Sequence, residues 1–256
     1  MRRLLLSLAA FAIWVGITVF TAAVPEGGTI TLADLVTKGV NWSIAGAGAF
    51  LLVLVLWQGW RDVGLDRPVS LAAVRLSWLP LLYIVAGLGL AIALGLPPVG
   101  VQLLVLLNSL LVGLSEELMF RGVLLQGFRG LLALWPAVLL TSLMFGAVHS
   151  LNVFVTGDLG PALIQSVAAF LSGLFFIALR LRTGSLWPPI LVHGLWDFTT
   201  FSIGLAGGGL SDAGGADTAP SGAVSVFLPI LLVLPNAIYG LWLMRNLGRS
   251  EGGAAR

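Results

Sequence analysis

The sequence contains no cysteine, which excludes a disulfide framework, a thiolate nucleophile and a zinc or iron–sulfur site held by cysteine. Charged residues are also scarce, since they make up 9% of the chain, whereas soluble domains carry about 25%. Apolar residues make up 58%, and 11 acidic and 13 basic side chains cannot cover a soluble body of 256 residues. The chain is therefore predicted to be an integral membrane protein.

The basic residues do not form a nucleic-acid site. The net charge is only +2, and no stretch combines clustered basic residues with interleaved aromatic side chains, as such a site requires. Basic residues in the cytoplasmic loops of a membrane protein explain the surplus better. We therefore expect a lipid bilayer, and no nucleic acid, among the partners.

Eight mainly apolar runs have about the 20 residues that a helix needs to cross a bilayer. The runs comprise residues 4–24, 42–60, 76–96, 101–120 with an apolar extension, 134–154, 161–179, 186–206 and 224–244. No internal repeat and no boundary of a second domain is visible in the sequence. The sequence predicts an all-α, polytopic membrane protein with eight transmembrane helices in a single domain, residues 1–256.

The basic residues also predict the orientation, because loops rich in Lys and Arg stay on the cytoplasmic side. With the amino terminus inside, only Lys38 falls in an outer loop. The inner loops and the tail hold Arg2, Arg3, Arg61, Arg67, Arg75, Arg129, Arg180, Arg182, Arg245, Arg249 and Arg256. We expect both termini in the cytoplasm, a multi-pass location in the cell membrane, and a flexible Gly-rich outer loop at residues 207–221.

The first run has an alternative interpretation as a signal peptide. The residues Thr21-Ala22-Ala23 resemble a small-residue cleavage site after a basic start, although the apolar stretch is longer than the usual signal core.

Three charged residues interrupt the fourth run, where a charge costs at least about 2.5–3.5 kcal/mol on insertion scales. Glu117 and Arg121 stand four residues apart, so they share one face of a helix and can pair. Glu116 lies about 100° around the axis and is left free for chemistry. Alternatively, all three residues mark a solvated cytoplasmic end of the helix.

The two histidines of the chain, His149 and His193, both fall inside apolar runs. His193 and Asp197 stand four residues apart, so the carboxylate can orient the imidazole, or the pair can simply join two helices. His149 lies about 20 Å along its helix, but His193 lies only about 7.5 Å past Pro188. The histidines therefore meet only if the segment before Pro188 dips into the protein or if the predicted helix boundaries are wrong.

These groups suit the hydrolysis of an amide bond. The sequence has no Gly-x-Ser-x-Gly nucleophile turn and no His-Glu-x-x-His zinc helix. A glutamate beside a histidine can activate water, and a His/Asp pair can hydrogen-bond the developing oxyanion. The residues equally allow metal-assisted hydrolysis, because two imidazoles and two carboxylates can bind a divalent metal such as zinc. The candidate metal ligands are Glu116, Glu117, His149 and His193.

Three motifs, in this order and on separate apolar helices, resemble those of the CPBP intramembrane proteases. This family, also called the Abi family, contains CAAX prenyl endopeptidases and bacteriocin-processing or immunity proteins. The motifs are Glu116-Glu117-x-x-x-Arg121, Phe145-x-x-x-His149 and His193-x-x-x-Asp197. The likeness covers roughly residues 101–198, and the motif-bearing core comprises about residues 101–206.

The resemblance implies an eight-helix endopeptidase with a glutamate-dependent mechanism and no required cofactor. Glu116 and His149 would activate the water, and His193 with Asp197 would stabilise the oxyanion. The supporting residues would be Glu117, Arg121 and Phe145. The prenyl endopeptidases usually carry asparagine where this chain has Asp197. Because an ionised carboxylate repels an oxyanion, Asp197 must be protonated or act by orienting His193.

The expected partner is a peptide or protein substrate, with prenylated and other membrane-associated chains as candidates. Two other functions use similar residues: a proton-coupled transporter, and a noncatalytic membrane immunity or scaffold protein. Paired half-helices or inverted repeats would favour the transporter, and no such symmetry is visible. Unchanged biological activity of a Glu116→Gln variant would favour the noncatalytic protein.

Overall fold

A computed structural model describes residues 1–22, 28–206 and 223–247, and no β-strand occurs in these ranges. The α-helices are α1 (Arg2–Phe20), α2 (Leu32–Thr37), α3 (Trp42–Gln58), α4 (Leu71–Val74), α5 (Trp78–Leu94), α6 (Val99–Glu117), α7 (Leu125–Arg129), α8 (Leu134–His149), α9 (Val153–Thr156), α10 (Leu159–Thr183), α11 (Trp187–Leu205) and α12 (Ala223–Met244). A π-helical segment, Leu118–Leu124, joins α6 to α7. The predicted all-α class is confirmed for the described residues.

Six helical stretches are long and apolar enough to cross a membrane. They are Arg2–Phe20, Leu71–Leu94, Val99–Arg129, Leu134–Thr156, Leu159–Thr183 and Phe227–Met244. The two other predicted spans also coincide with helices, but α3 has only 17 residues, and α11 contains His193, Asp197 and two prolines that lower its hydropathy. The protein is a membrane protein by these helices, while the count of eight spans and the cytoplasmic termini stay predictions.

Some features predicted from the sequence fall outside the described residues. They are Ala23 of the candidate cleavage site, the loop at residues 207–221, and the basic residues Arg249 and Arg256.

Basic residues hold several helix ends together at one end of the bundle. Arg3 donates two hydrogen bonds of 2.7 Å to the carboxylate of Asp62, and this pairing lowers the pKa of the Asp62 carboxyl. Arg180 donates to the carbonyl oxygens of Asp62 and Val63, and Arg182 donates to the carbonyl oxygen of Leu243. The start of α1, the turn after α3 and the ends of α10 and α12 therefore lie at the same level.

The turn between α10 and α11 dips into the protein. Ser185 and Leu186 are fully buried, and the Leu186 N–H donates to the carbonyl oxygen of Gly64 at 2.7 Å. The Ser185 hydroxyl donates to the carbonyl oxygen of Asp66 at 2.6 Å. Prolines at the first turn begin α11 directly after this segment. The buried turn supplies the condition under which a histidine early in α11 can meet one late in α8.

Glycines allow α6 and α11 to approach closely. A Cβ added to Gly113 would lie 2.7 Å from the carbonyl oxygen of Ile190 and 3.0 Å from the backbone nitrogen of Gly194. A Cβ added to Gly194 would meet the backbone of Leu110 at 3.0 Å. Backbone packs against backbone at this point, three residues before Glu116 and one residue after His193.

We expect Gly113→Ala to destabilise the protein by about 1–3 kcal/mol, because the added methyl group must push α11 away from α6. Thermal unfolding in detergent measures the effect. Gly100→Ala is the matched control on the same helix, since a Cβ there meets no atom within 4 Å. Equal unfolding of both variants would contradict the close approach of α6 and α11.

Candidate active site

The adjacent carboxylates of α6 are buried, and one of them is paired. Glu117 and Arg121 are both fully buried, and Arg121 Nη1 donates to Glu117 Oε1 at 3.0 Å. Glu116 is 9% exposed. This burial excludes the alternative in which the three residues form a solvated helix end. Arg121 lies in the π-helical segment rather than in the expected α-helix, and it still reaches the carboxylate four residues earlier.

Aromatic rings enclose the guanidinium group of Arg121. Its Cζ lies 4.0 Å from the centre of the Phe145 ring, 5.2 Å from that of Phe176 and 5.9 Å from that of Phe120. A guanidinium over a ring face gains cation–π attraction, which is larger in a desolvated site. Phe145, expected as a supporting residue, thus contacts the buried cation.

Glu117 also orients His193. The Nδ1 atom of His193 lies 2.8 Å from Glu117 Oε1, the same oxygen that accepts from Arg121. Because a carboxylate oxygen with an arginine partner is an acceptor, Nδ1 carries the proton, and Nε2 faces the other side of the ring. Sequence reasoning missed this contact, since nothing in the spacing of α6 and α11 residues tells which side chains meet.

The second carboxylate, Glu116, faces both imidazole rings. Its Oε2 atom lies 3.9 Å from His149 Nε2 and 3.7 Å from His193 Nε2. Among the described residues, Oε2 has no hydrogen-bond partner. The structure thus brings Glu116, His149 and His193 together from three different helices.

The backbone sets the tautomer of His149. Its Nδ1 atom lies 2.7 Å from the carbonyl oxygen of Phe145, and a carbonyl oxygen only accepts. Nδ1 therefore carries the proton, and the lone pair of a neutral His149 lies on Nε2, the atom that faces Glu116. A single water molecule can donate to both of these acceptors.

Asp197 joins the group from α11. Its Oδ2 atom lies 3.5 Å from His193 Nε2, as the four-residue spacing predicts. The Phe176 ring stacks on the imidazole of His193, with centroids 4.9 Å apart and planes tilted by 15°. Phe176 lies on α10 outside the sequence motifs, and sequence reasoning missed it.

Two cavities meet at these side chains. The larger, about 800 Å³, lies among α8, α10, α11 and α12. The smaller, about 340 Å³, lies among α1, α2, α3, α6, α8, α9, α10 and α11. Both cavities are lined by His149, Gln165, His193, Asp197 and Thr200. A substrate in either cavity reaches the same polar groups.

The candidate metal ligands are the same side chains that could transfer protons. In the described part of the chain, no three His, Asp or Glu side chains form a group that could hold a metal ion. Of the four candidate ligands, Glu117 already pairs with Arg121 and His193 through Oε1. The metal-assisted mechanism stays a prediction that chelation can test.

A comparison with known families finds a similarity in the segment that carries these side chains. Residues 98–199 match the family model described as type II CAAX prenyl endopeptidase Rce1-like. The match covers less than half of the chain and shows a similarity of this segment to that family. The resemblance to CAAX-protease-like membrane proteases, expected from the three motifs, is confirmed for these residues, which contain every candidate site residue.

The other comparisons give one partial alignment with a curated protein and no matching solved structure. The chain is 36% identical to an Escherichia coli protein described as "Uncharacterized 24.3 kDa protein" over 88 residues, which are 33% of this chain and 36% of the relative. The chain thus aligns with about a third of the length of that relative. No solved structure matches the chain.

We expect Arg121→Met to destabilise the protein by about 3–5 kcal/mol, because it leaves the buried charge of Glu117 without its partner. Adding Glu117→Gln removes that charge and should recover a large part of the loss. The free energy of unfolding in mixed micelles measures both variants. A free energy of unfolding of Arg121→Met equal to that of the wild type would show that the ion pair does not stabilise the fold.

Proposed function

We propose that the protein is an intramembrane endopeptidase in which Glu116 and His149 activate a water molecule and His193 stabilises the oxyanion. The observation that carries this proposal is the position of Glu116 Oε2 within 3.9 Å of His149 Nε2 and 3.7 Å of His193 Nε2. The Rce1-like match of residues 98–199 supports the same reaction class.

The reaction begins with a water molecule held by Glu116 Oε2 and His149 Nε2. As the water oxygen attacks the carbonyl carbon of the scissile amide, Glu116 takes one proton, and a negative charge develops on the carbonyl oxygen. The proton then passes to the amide nitrogen while the C–N bond breaks. A carboxylic acid and an amine are formed, so water is the only co-reactant.

His193 is suited to stabilise the oxyanion because neighbouring carboxylates contact both nitrogen atoms of its ring. Glu117 holds the Nδ1–H at 2.8 Å and fixes the orientation of the ring. When Nε2 is protonated as well, the Nε2–H can donate a hydrogen bond to the developing oxyanion. Asp197, at 3.5 Å from the same Nε2, orients this donor in the absence of substrate.

The substrate is proposed to be a peptide or protein at the membrane, with a prenylated carboxyl terminus as the first candidate. The description of the matching family supports this candidate. The cell membrane is the proposed location, and the reaction as written requires no metal.

We expect Glu116→Gln to lower kcat for a farnesylated CAAX peptide by about 100- to 10,000-fold, because the amide cannot accept the proton. His149→Ala and His193→Ala should cause large losses as well. Purified protein and a fluorogenic peptide, with an unprenylated peptide in parallel, provide the assay. Asp34→Asn is the matched control. Asp34, on α2, pairs with Lys38 and lines neither cavity.

A metal chelator belongs in the same assay. Cleavage that resists chelation supports the metal-free reaction. Cleavage that is lost on chelation and restored by zinc would favour the metal-assisted one. Full activity of Glu116→Gln would contradict the proposed function.

We expect Asp197→Asn to keep kcat/KM within about tenfold of the wild type, because a neutral amide can still hydrogen-bond His193. Asp197→Leu removes that hydrogen bond and should cost more. Measurement of kcat/KM for both variants compares the two roles. An Asn variant as inactive as Glu116→Gln would show that a carboxyl group is required at this position.

A further inference from the structure

The larger cavity has a polar group outside the motif residues. Asn236 lies on α12 and lines this cavity together with His149, His193 and Asp197. It is 5% exposed, and its Oδ1 atom has no hydrogen-bond partner among the described residues. Asn236 also lies outside residues 98–199, the segment that matches the protease family.

A buried, unpaired amide oxygen destabilises a fold, so its presence requires an explanation. Another buried asparagine, Asn108, shows the usual arrangement. Its Oδ1 accepts from the Asn41 N–H at 2.9 Å, and its Nδ2 donates to the carbonyl oxygens of Val36 and Gly39. Asn108 thus joins α6 to the segment around α2, whereas Asn236 makes no comparable hydrogen bond with the residues that the structure describes.

Asn236 lies at a depth similar to that of the catalytic group. Arg182 binds the carbonyl oxygen of Leu243, which places the end of α12 beside the end of α10. Asn236 is about 10 Å from Leu243 along α12, and His193 is about 9 Å from Trp187 along α11. A ligand that fills the cavity of about 800 Å³ can therefore contact both side chains.

We propose that Asn236 positions the substrate by accepting a hydrogen bond from a backbone N–H of the peptide bound in the larger cavity. This inference rests on the proposed function. The neighbouring lining residues Leu228, Leu232 and Val233 are apolar, so they suit the side chains of an extended peptide. An N–H group entering this apolar surface needs an acceptor, and Oδ1 of Asn236 provides one.

Asn236→Leu tests the proposal, because binding and structural roles predict opposite effects on stability. If Oδ1 is unpaired in the free protein, leucine should leave the melting temperature unchanged or raise it. The KM for a farnesylated fluorogenic CAAX peptide should rise about three- to tenfold, with kcat within about twofold, since one hydrogen bond to bound substrate is lost. Asn236→Ala repeats the test without the bulk of leucine.

Asn108→Leu is the matched control, since it makes the same substitution at a buried asparagine whose hydrogen bonds are all within the protein. This variant should lower the melting temperature by several degrees. If Asn236→Leu and Asn236→Ala lower it similarly, Asn236 is a structural residue and the proposal is wrong. An unchanged KM in a stable variant would overturn the proposal as well.

A binding measurement separates this proposal from the proposed function. The dissociation constant of the same peptide is measured for Glu116→Gln with and without Asn236→Leu. If the wild type does not cleave the peptide, the proposed function fails, but about three- to tenfold weaker binding with Asn236→Leu still supports the subsite. Equal dissociation constants, or no binding to either variant, overturn the subsite.

Discussion

The buried contact of Glu117 with Arg121 and His193 is the interaction on which the rest of the site depends. Two adjacent carboxylates in a membrane-spanning helix repel each other and pay a large desolvation cost. Arg121 compensates one of them, and the same Glu117 oxygen fixes His193 at 2.8 Å. The Oε2 atom of Glu116 is thereby left without a hydrogen-bond partner among the described residues, between two imidazole rings and in the lining of the smaller cavity.

Packing between helices, rather than local sequence, brings the side chains of the site together. The pair lies on α6 and the π-helical segment, His149 on α8 and His193 on α11. The glycines Gly113 and Gly194 bring α6 and α11 to backbone contact. The buried turn at Ser185 and Leu186 leads directly into α11, which carries His193 to the carboxylates. Contacts between helices therefore bring the motif residues together.

Several of these features could be predicted from the sequence. The low charge content predicts a membrane protein, and helical spacing predicts the contacts of Glu117 with Arg121 and of His193 with Asp197. These inferences succeed because they depend on composition or on residues within one turn of helix.

Other features could be recognised only from contacts in the three-dimensional structure. The sequence does not reveal that Glu117 holds Nδ1 of His193, that Phe176 stacks on its ring, or that Asn236 lines the larger cavity. The π-helical segment also escaped prediction, because apolar residues there fit either helix type. The count of spans is hard to predict for a related reason, since His193 and Asp197, which are proposed to act in the site, also lower the hydropathy of α11.

Convergence of Glu116, His149 and His193 on one point is the central claim, and the presence of two histidines in the chain allows a direct measurement of it. The imidazole ¹⁵N signals of protein labelled in histidine are recorded for the wild type, for Glu116→Gln and for Asp34→Asn. Because Glu116 Oε2 lies within 3.9 Å of the Nε2 atoms of both rings, Glu116→Gln should shift both Nε2 signals, whereas Asp34→Asn should shift neither. Nε2 signals that do not change in a folded Glu116→Gln variant would contradict the account.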